Sequence, residues 1–167
     1  QVHHTFFVAR AGSEKSSLSY RVRSGNCEVL PSAPLGITLN RLGQFTGSLR
    51  FLHQSTGTIR ERYRMPVGKK SECINRANEL TLDFLNDTGG KMSLILRAYD
   101  GGVAYRYRIH GTGHDTVVGE ASSFHIPAAS QGWFARYTQP YYEWYYDAHA
   151  KLTGIEFDVA VPALFRT

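Results

Sequence analysis

The 167-residue sequence predicts an all-β fold, a β-sandwich of antiparallel strands with few short helices. Three observations carry that expectation. Apolar and polar residues alternate in short runs between Leu18 and Val161, which is how a strand hides one side and wets the other. Gly, Pro, Asn and Asp punctuate those runs at short intervals. Tyr and Phe, ten and nine of them, are abundant and suit half-buried pleated surfaces. Nowhere does an apolar 3.6-residue period last long enough for a core helix.

Taken in order, Leu18–Arg23 alternates and is turned by Ser24-Gly25-Asn26. Cys27–Leu30 follows as a short run that Pro31 and Pro34 should stop, because proline cannot donate to a ladder. Gly36–Leu39 is a third run, and Arg60–Arg64 a fourth, broken by Pro66. Glu79–Leu85 turns at Asp87-Thr88-Gly89-Gly90 and returns as Lys91–Tyr99, a hairpin pattern. Asp100-Gly101-Gly102 then leads into Val103–Ile109, the most regular alternation in the chain. Ser122–Ile126 and Gly154–Val161 complete the expected strands, and Arg76–Leu80 and Tyr141–Ala150 are expected to turn helical briefly. The whole of 1–167 is expected to form one sandwich domain.

Composition excludes several classes. Hydrophobic content of 42% supports a core without metal or disulfide staples, and 20% charged residues is too few for a disordered chain. No apolar run reaches the roughly 20 residues of a membrane-spanning helix. No signal-peptide layout is visible, and the start at Gln1 is expected to reflect processing or excision from something longer. The net charge of +5 raises nucleic acid as a partner. The basic residues, however, are spread at alternate strand positions, Lys69-Lys70 being the only adjacent pair, so no nucleic-acid partner is expected. Cys27 and Cys73 fit no metal spacing, and two free, half-buried thiols are expected.

No catalytic motif is present: neither a G-x-S-x-G elbow, nor H-E-x-x-H, nor a phosphate loop. Gly111-Thr112-Gly113-His114 lacks a following helix, and His3-His4 lacks a third ligand. One stretch stands apart, from Gln131 to Asp147. It holds Trp133, Phe134, Tyr137, Tyr141, Tyr142, Trp144, Tyr145 and Tyr146 around Pro140 and Glu143. Two readings stay open. Trp133, Tyr142 and Trp144 would stack on sugar rings, with hydroxyl and indole N–H groups to bond them. Alternatively the stretch is core filler, with Glu143 paired to an arginine such as Arg136.

Several segments together resemble the N-terminal domain of glycoside hydrolase family 97, bacterial α-glucosidases and α-galactosidases. They are Leu18–Val22, Ser32–Ile37, Val67–Lys70, Asn78–Thr81, Leu96–Tyr107, Glu120–Phe124, Ile126-Pro127 and Tyr142-Glu143. Leu96–Tyr107, with its Arg-Ala-Tyr-Asp-Gly-Gly-Val-Ala-Tyr-Arg-Tyr core, is the most specific. The resemblance implies a β-supersandwich packed on a (β/α)8 barrel that carries the catalytic carboxylates. It implies no catalytic residue here, and an inactive chain when alone. It further implies a calcium ion near the active site, with Glu143 as the contributed ligand, an α-linked oligosaccharide as substrate, and a periplasmic or secreted setting. It also implies strands beyond Thr167, whose loss would expose a sheet edge open to self-association. The competing expectations are a self-sufficient carbohydrate-binding module and a purely structural interaction module.

Overall fold

A computed structural model describes residues 4–8, 17–138, 145–149 and 151–167, with backbone alone at 4–8. The described residues form strands, turns and loops without a helix, and every strand pairing is antiparallel. They divide into two compact units, Gln1–Phe124 and His125–Thr167.

The first unit holds ten strands in chain order: β1 (His4–Val8), β2 (Ser19–Ser24), β3 (Cys27–Pro34), β4 (Ile37–Leu39), β5 (Gly43–Gln44), β6 (Arg50–Arg64), β7 (Glu72–Leu85), β8 (Lys91–Tyr99), β9 (Gly102–His110) and β10 (Val117–Glu120). They pair as β1-β2-β3, as β10-β4-β5 and as the four-stranded meander β6-β7-β8-β9. One apolar layer joins the three. Tyr20 and Val22 on β2, Ile37 and Leu39 on β4, and Phe45 after β5 meet Leu82 and Phe84 on β7 and Met92, Leu94 and Leu96 on β8. Fully burying each large side chain is worth about 1.5–3 kcal/mol, so this layer holds the sheets face to face as a sandwich. The second unit is a smaller sheet in the order β12-β11-β13, made by β11 (Gln131–Phe134), β12 (Asp147–His149) and β13 (Leu164–Arg166).

The alternation around Leu18–Arg23, Glu79–Leu85, Lys91–Tyr99 and Val103–Ile109 appears as β2, β7, β8 and β9. Other expectations are corrected. Pro31 does not stop β3, which runs to Pro34. It lies at the edge of its sheet with a register shift opposite Val22, where a missing N–H is tolerated. Arg76–Leu80 is not helical but part of β7, held by β6 along one side and, from Asn78 on, by β8 along the other. β6 begins ten residues before its expected start, at Arg50. Ser122–Ile126 forms no strand, because it spends its hydrogen bonds singly and Pro34, which it meets, has no N–H to return. Within Gly154–Val161 the alternation of burial holds from Ile155 to Val159 and fails at Val161, which is 88% exposed, and only Val159 bridges, to Arg136. Residues 141–144 and 150 lie outside the described residues, while Asp147–His149 is strand. Neither cysteine is bonded: Cys73 is half-buried as expected, but Cys27 is exposed, at the tight β2–β3 turn where Gly25 adopts φ +59°.

One polar residue ties the layers together. Asn86, 6% exposed in the β7–β8 loop, donates its amide to the carbonyls of Leu42 (2.7 Å) and Gln44 (3.2 Å). Its Oδ1 accepts from the Gly90 N–H at 2.7 Å. The Thr88 hydroxyl shares its hydrogen between Leu42 O and Asn86 Oδ1, at 2.7 and 2.9 Å. Gly90 is required there, since a Cβ would meet the Phe45 ring at 2.9 Å and Asn86 Oδ1 at 3.0 Å. Across the same turn, Asp115 accepts the N–H groups of Arg41 and Leu42, each at 3.0 Å. Asn86→Ala would leave several buried groups unpaired, and we expect a loss on the order of 3 kcal/mol in denaturant titration. Thr88→Val, at an exposed position, should cost about 1 kcal/mol or less.

Candidate functional site

The aromatic stretch divides between core and surface. Phe134, 1% exposed on β11, stacks on the His149 ring of β12 with centroids 4.3 Å apart and planes 6° apart. Phe165 and Phe157 close around it at 5.8 and 6.4 Å. Gly132 is small because that ring needs the space: a Cβ would sit 2.6 Å from Phe134 Cε1. Arg136 lies with its guanidinium carbon 5.4 Å from the centre of the Phe157 ring, a cation–π contact on the protein surface. The core reading therefore applies to Phe134.

Trp133 points to the opposite side of β11, opposite Ala148 of β12 and Leu164 of β13, and is half-buried. Tyr137, Tyr145 and Tyr146, which flank the rest of the stretch, are 47%, 66% and 51% exposed. A surface of this kind can stack on a sugar face and bond its hydroxyls. Tyr142, Glu143 and Trp144 lie outside the described residues.

The first unit contains a Ser, His and Asp constellation that the sequence analysis did not single out. Asp83 on β7, Ser93 on β8 and His110 on β9 belong to one face of the meander, where strand register brings them together. The Ser93 hydroxyl donates to Asp83 Oδ1 at 2.6 Å, and its oxygen lies 2.6 Å from His110 Nε2. With its proton given to the carboxylate, Ser93 accepts from the imidazole. A nucleophilic serine needs the reverse polarity, with His as the proton acceptor, and Ser93 is also 2% exposed. The trio is a structural relay. Lys91 adds an ion pair to Asp83 Oδ2 at 3.2 Å, and Arg97 pairs with Glu79 at 2.7 Å on the same face. Among the described residues, no three His, Cys, Asp or Glu side chains gather in a way that would hold a metal.

Four of the segments that carry the family resemblance, Leu18–Val22, Ser32–Ile37, Leu96–Tyr107 and Glu120–Phe124, converge in space. Tyr107, from the Leu96–Tyr107 motif, accepts the Gly36 N–H at 2.7 Å and shares a 2.7 Å hydrogen bond with Ser122 Oγ. Ala121 N donates to Gly36 O, and Ser123 N to Pro34 O. Tyr20 donates its hydroxyl to Ser123 O at 2.9 Å, with the Phe124 ring edge-on at 6.4 Å. Burial pushes the Tyr20 phenol up to about 12, helped by Tyr105 and Tyr107, and raises Tyr107 as well, so both phenols stay neutral. Gly36, at φ +132°, passes so close to the chain after β5 that a Cβ would lie 2.4 Å from Phe45 O.

Among the described residues, antiparallel sheets, tyrosine-latched loops and exposed aromatics define an all-β, sandwich-like domain. Residues 3–167 match the family described as Glycosyl-hydrolase 97 N-terminal, and the chain belongs to that family. It is 35% identical over 121 residues to a probable retaining α-galactosidase of Streptomyces bingchenggensis, covering 72% of this chain and 19% of that protein. A β-arabinopyranosidase crystal structure matches 99% of this chain with a TM-score of 0.83 and 28% identity, using 28% of its own length. A variant of a Glycoside Hydrolase Family 97 enzyme from Pseudoalteromonas sp. strain K8 matches 98% of this chain at a TM-score of 0.82 and 20% identity, over 25% of its length. The chain thus spans about a fifth to just over a quarter of the proteins it resembles.

Acid should weaken the Asp83 relay. The Ser93 hydroxyl holds the Asp83 carboxyl below its usual value against the opposing effect of burial, with Lys91 and His110 adding to it. A depressed folded-state value means this stabilisation is full above the unfolded value of about 4 and fades as pH falls through the lower folded one. Asp115 is also held low, the cost of its desolvation being outweighed by the backbone N–H groups of Arg41, Thr116 and Leu42. Asp83→Asn should therefore lower the urea midpoint at pH 7 and shrink its decline between about pH 5 and 2. An acid limb identical to wild type would remove Asp83 from the relay.

Proposed function

We propose that this chain is the non-catalytic N-terminal domain of a secreted or periplasmic bacterial α-glycoside hydrolase, packed on a (β/α)8 barrel and helping to shape its active-site region. The observation that carries the reading is family membership across residues 3–167 in a chain that fills only 19% of a relative named as a probable retaining α-galactosidase. The buried, reversed polarity of Asp83-Ser93-His110 agrees with chemistry performed elsewhere. The relative named α-galactosidase and the neighbour named β-arabinopyranosidase favour a galactose-like sugar as substrate, since galactose and arabinopyranose can present the same ring hydroxyl pattern. Among the described residues no helix is long and apolar enough to cross a membrane.

Glu143 is the residue through which the domain would reach the reaction centre. Calcium takes six to eight oxygen ligands, and the described residues assemble no such set. In this reading the chain supplies one carboxylate to calcium and the barrel supplies the rest. Bound there, calcium would neutralise carboxylates at the active-site mouth. A second reading, a self-sufficient sugar-binding module, is favoured by the exposure of Tyr137, Tyr145 and Tyr146 beside the half-buried Trp133.

The polypeptide carrying the barrel should hydrolyse a p-nitrophenyl α-galactoside or α-glucoside, and the 167-residue chain should hydrolyse neither. Turnover by the chain alone would overturn the proposal. Glu143→Gln in the longer polypeptide should weaken calcium retention at least about tenfold and lower turnover; unchanged metal content would dismiss the ligand assignment. Titration of α-linked oligosaccharides into the 167-residue chain, followed by tryptophan fluorescence, should show no saturable change. Saturation that is lost in Trp133→Ala and Trp144→Ala would establish the second reading instead.

A further inference from the structure

The β6–β7 ribbon outgrows the sandwich. β7 pairs with β8 only from Asn78 to Leu85, whereas its pairing with β6 runs from Arg50↔Leu85 out to Arg64↔Glu72. Beyond Asn78 two strands continue alone, and a two-stranded ribbon is marginal in water without something to pack on. Even-numbered β7 residues share a face, buried at Leu82 (7%) and Phe84 (8%). That same face is open at Ile74, 58% exposed, and at Arg76. The core-facing side of the sheet thus runs past the end of its own core.

Folding also gathers charges that are spaced out in the sequence. Register sets Arg60 opposite Arg76, Arg62 opposite Ile74 and Arg64 opposite Glu72, so four arginines line this face. Among the described residues, only Arg64 of the four forms an ion pair, a loose one of 4.0 Å with Glu72. Arg60 opposite Arg76 is a like-charge pair that destabilises a free ribbon. From Arg60 to Arg76 there are six basic residues and two acidic ones, an excess of four in a chain of net charge +5. Exposed edges are usually guarded by lysine, but this face has arginine with a bare Ile74 at its centre. Arginine and apolar residues together are what the cores of protein interfaces favour, and arginine binds carboxylates in two-pronged fashion.

We propose that the arginine face of the β6–β7 ribbon is a docking surface for a carboxylate-lined patch on the catalytic domain of the same polypeptide. The proposal rests on the reading of this chain as an accessory domain. Carboxylates on the partner offset the Arg60–Arg76 repulsion, and apolar groups between them cover Ile74. A phosphate backbone would supply charge but nothing to cover an isoleucine, which favours protein over nucleic acid.

The test is arginine footprinting with phenylglyoxal on the full polypeptide, read by mass spectrometry. At low salt Arg60, Arg62 and Arg76 should react at least tenfold more slowly than the exposed Arg50 and Arg108, and 1 M NaCl should reduce that protection. Labelling equal to Arg50 at low salt would overturn the proposal. So would protection that rises with protein concentration, marking a second copy, or that requires added duplex DNA or RNA. Arg62→Glu, which reverses one charge at an exposed site, should restore labelling of Arg60 and Arg76. Glycosidase assays on the same sample separate the two claims: hydrolysis with unprotected arginines sinks the docking surface alone, and protection without hydrolysis sinks the assigned activity alone.

Discussion

A buried amide holds the first unit's layers in register. The apolar residues between β2, β4, β7 and β8 supply the attraction, but attraction of that kind is nondirectional and would tolerate sliding. Asn86 removes that freedom, because its donors fit two carbonyls of the β4–β5 turn while its acceptor is filled by its own hairpin. A shift of one residue would strand all of those groups away from water. Phe45 and Gly90 then fit around it with no room for a methyl group.

The tyrosine latch works in a similar way at another edge. Tyr107 and Tyr20 reach from β9 and β2 to the segment that follows β10, and the backbone of Pro34 and Gly36 completes the attachment. These residues belong to stretches that are far apart in the chain and that carry the likeness to the family. Each short segment supplies one side of a shared contact that only folding completes.

Fold class was legible because period-two burial is a local property. At β2 and β9 one face is covered by the rest of the sandwich, and alternation in the sequence reports it directly. Pro31 and Ser122–Ile126 were misread because their outcome depends on which neighbour is present, an edge in the first case and a proline carbonyl in the second. Asp83, Ser93 and His110 carry no spacing signal, since three strands must pair before they meet. A register guess for the β7–β8–β9 meander was the one clue available. The same holds for the ribbon arginines, dispersed as written and aligned once Arg60 faces Arg76. Of the aromatic stretch, its role as part core and part surface was undecidable from composition, because Trp133 and Phe134 differ only in which side of β11 they occupy.

The latch has a mechanical side. Chain leaving the first unit at Phe124 is fastened immediately upstream by Tyr20 to Ser123 and by Tyr107 to Ser122. Tension entering from beyond that point meets those hydroxyls and the Pro34 and Gly36 carbonyls together, before it can peel β10 away from β4. The fastening is a strain relief: chain pulled from beyond Phe124 would have to break it before unzipping the sheet behind it.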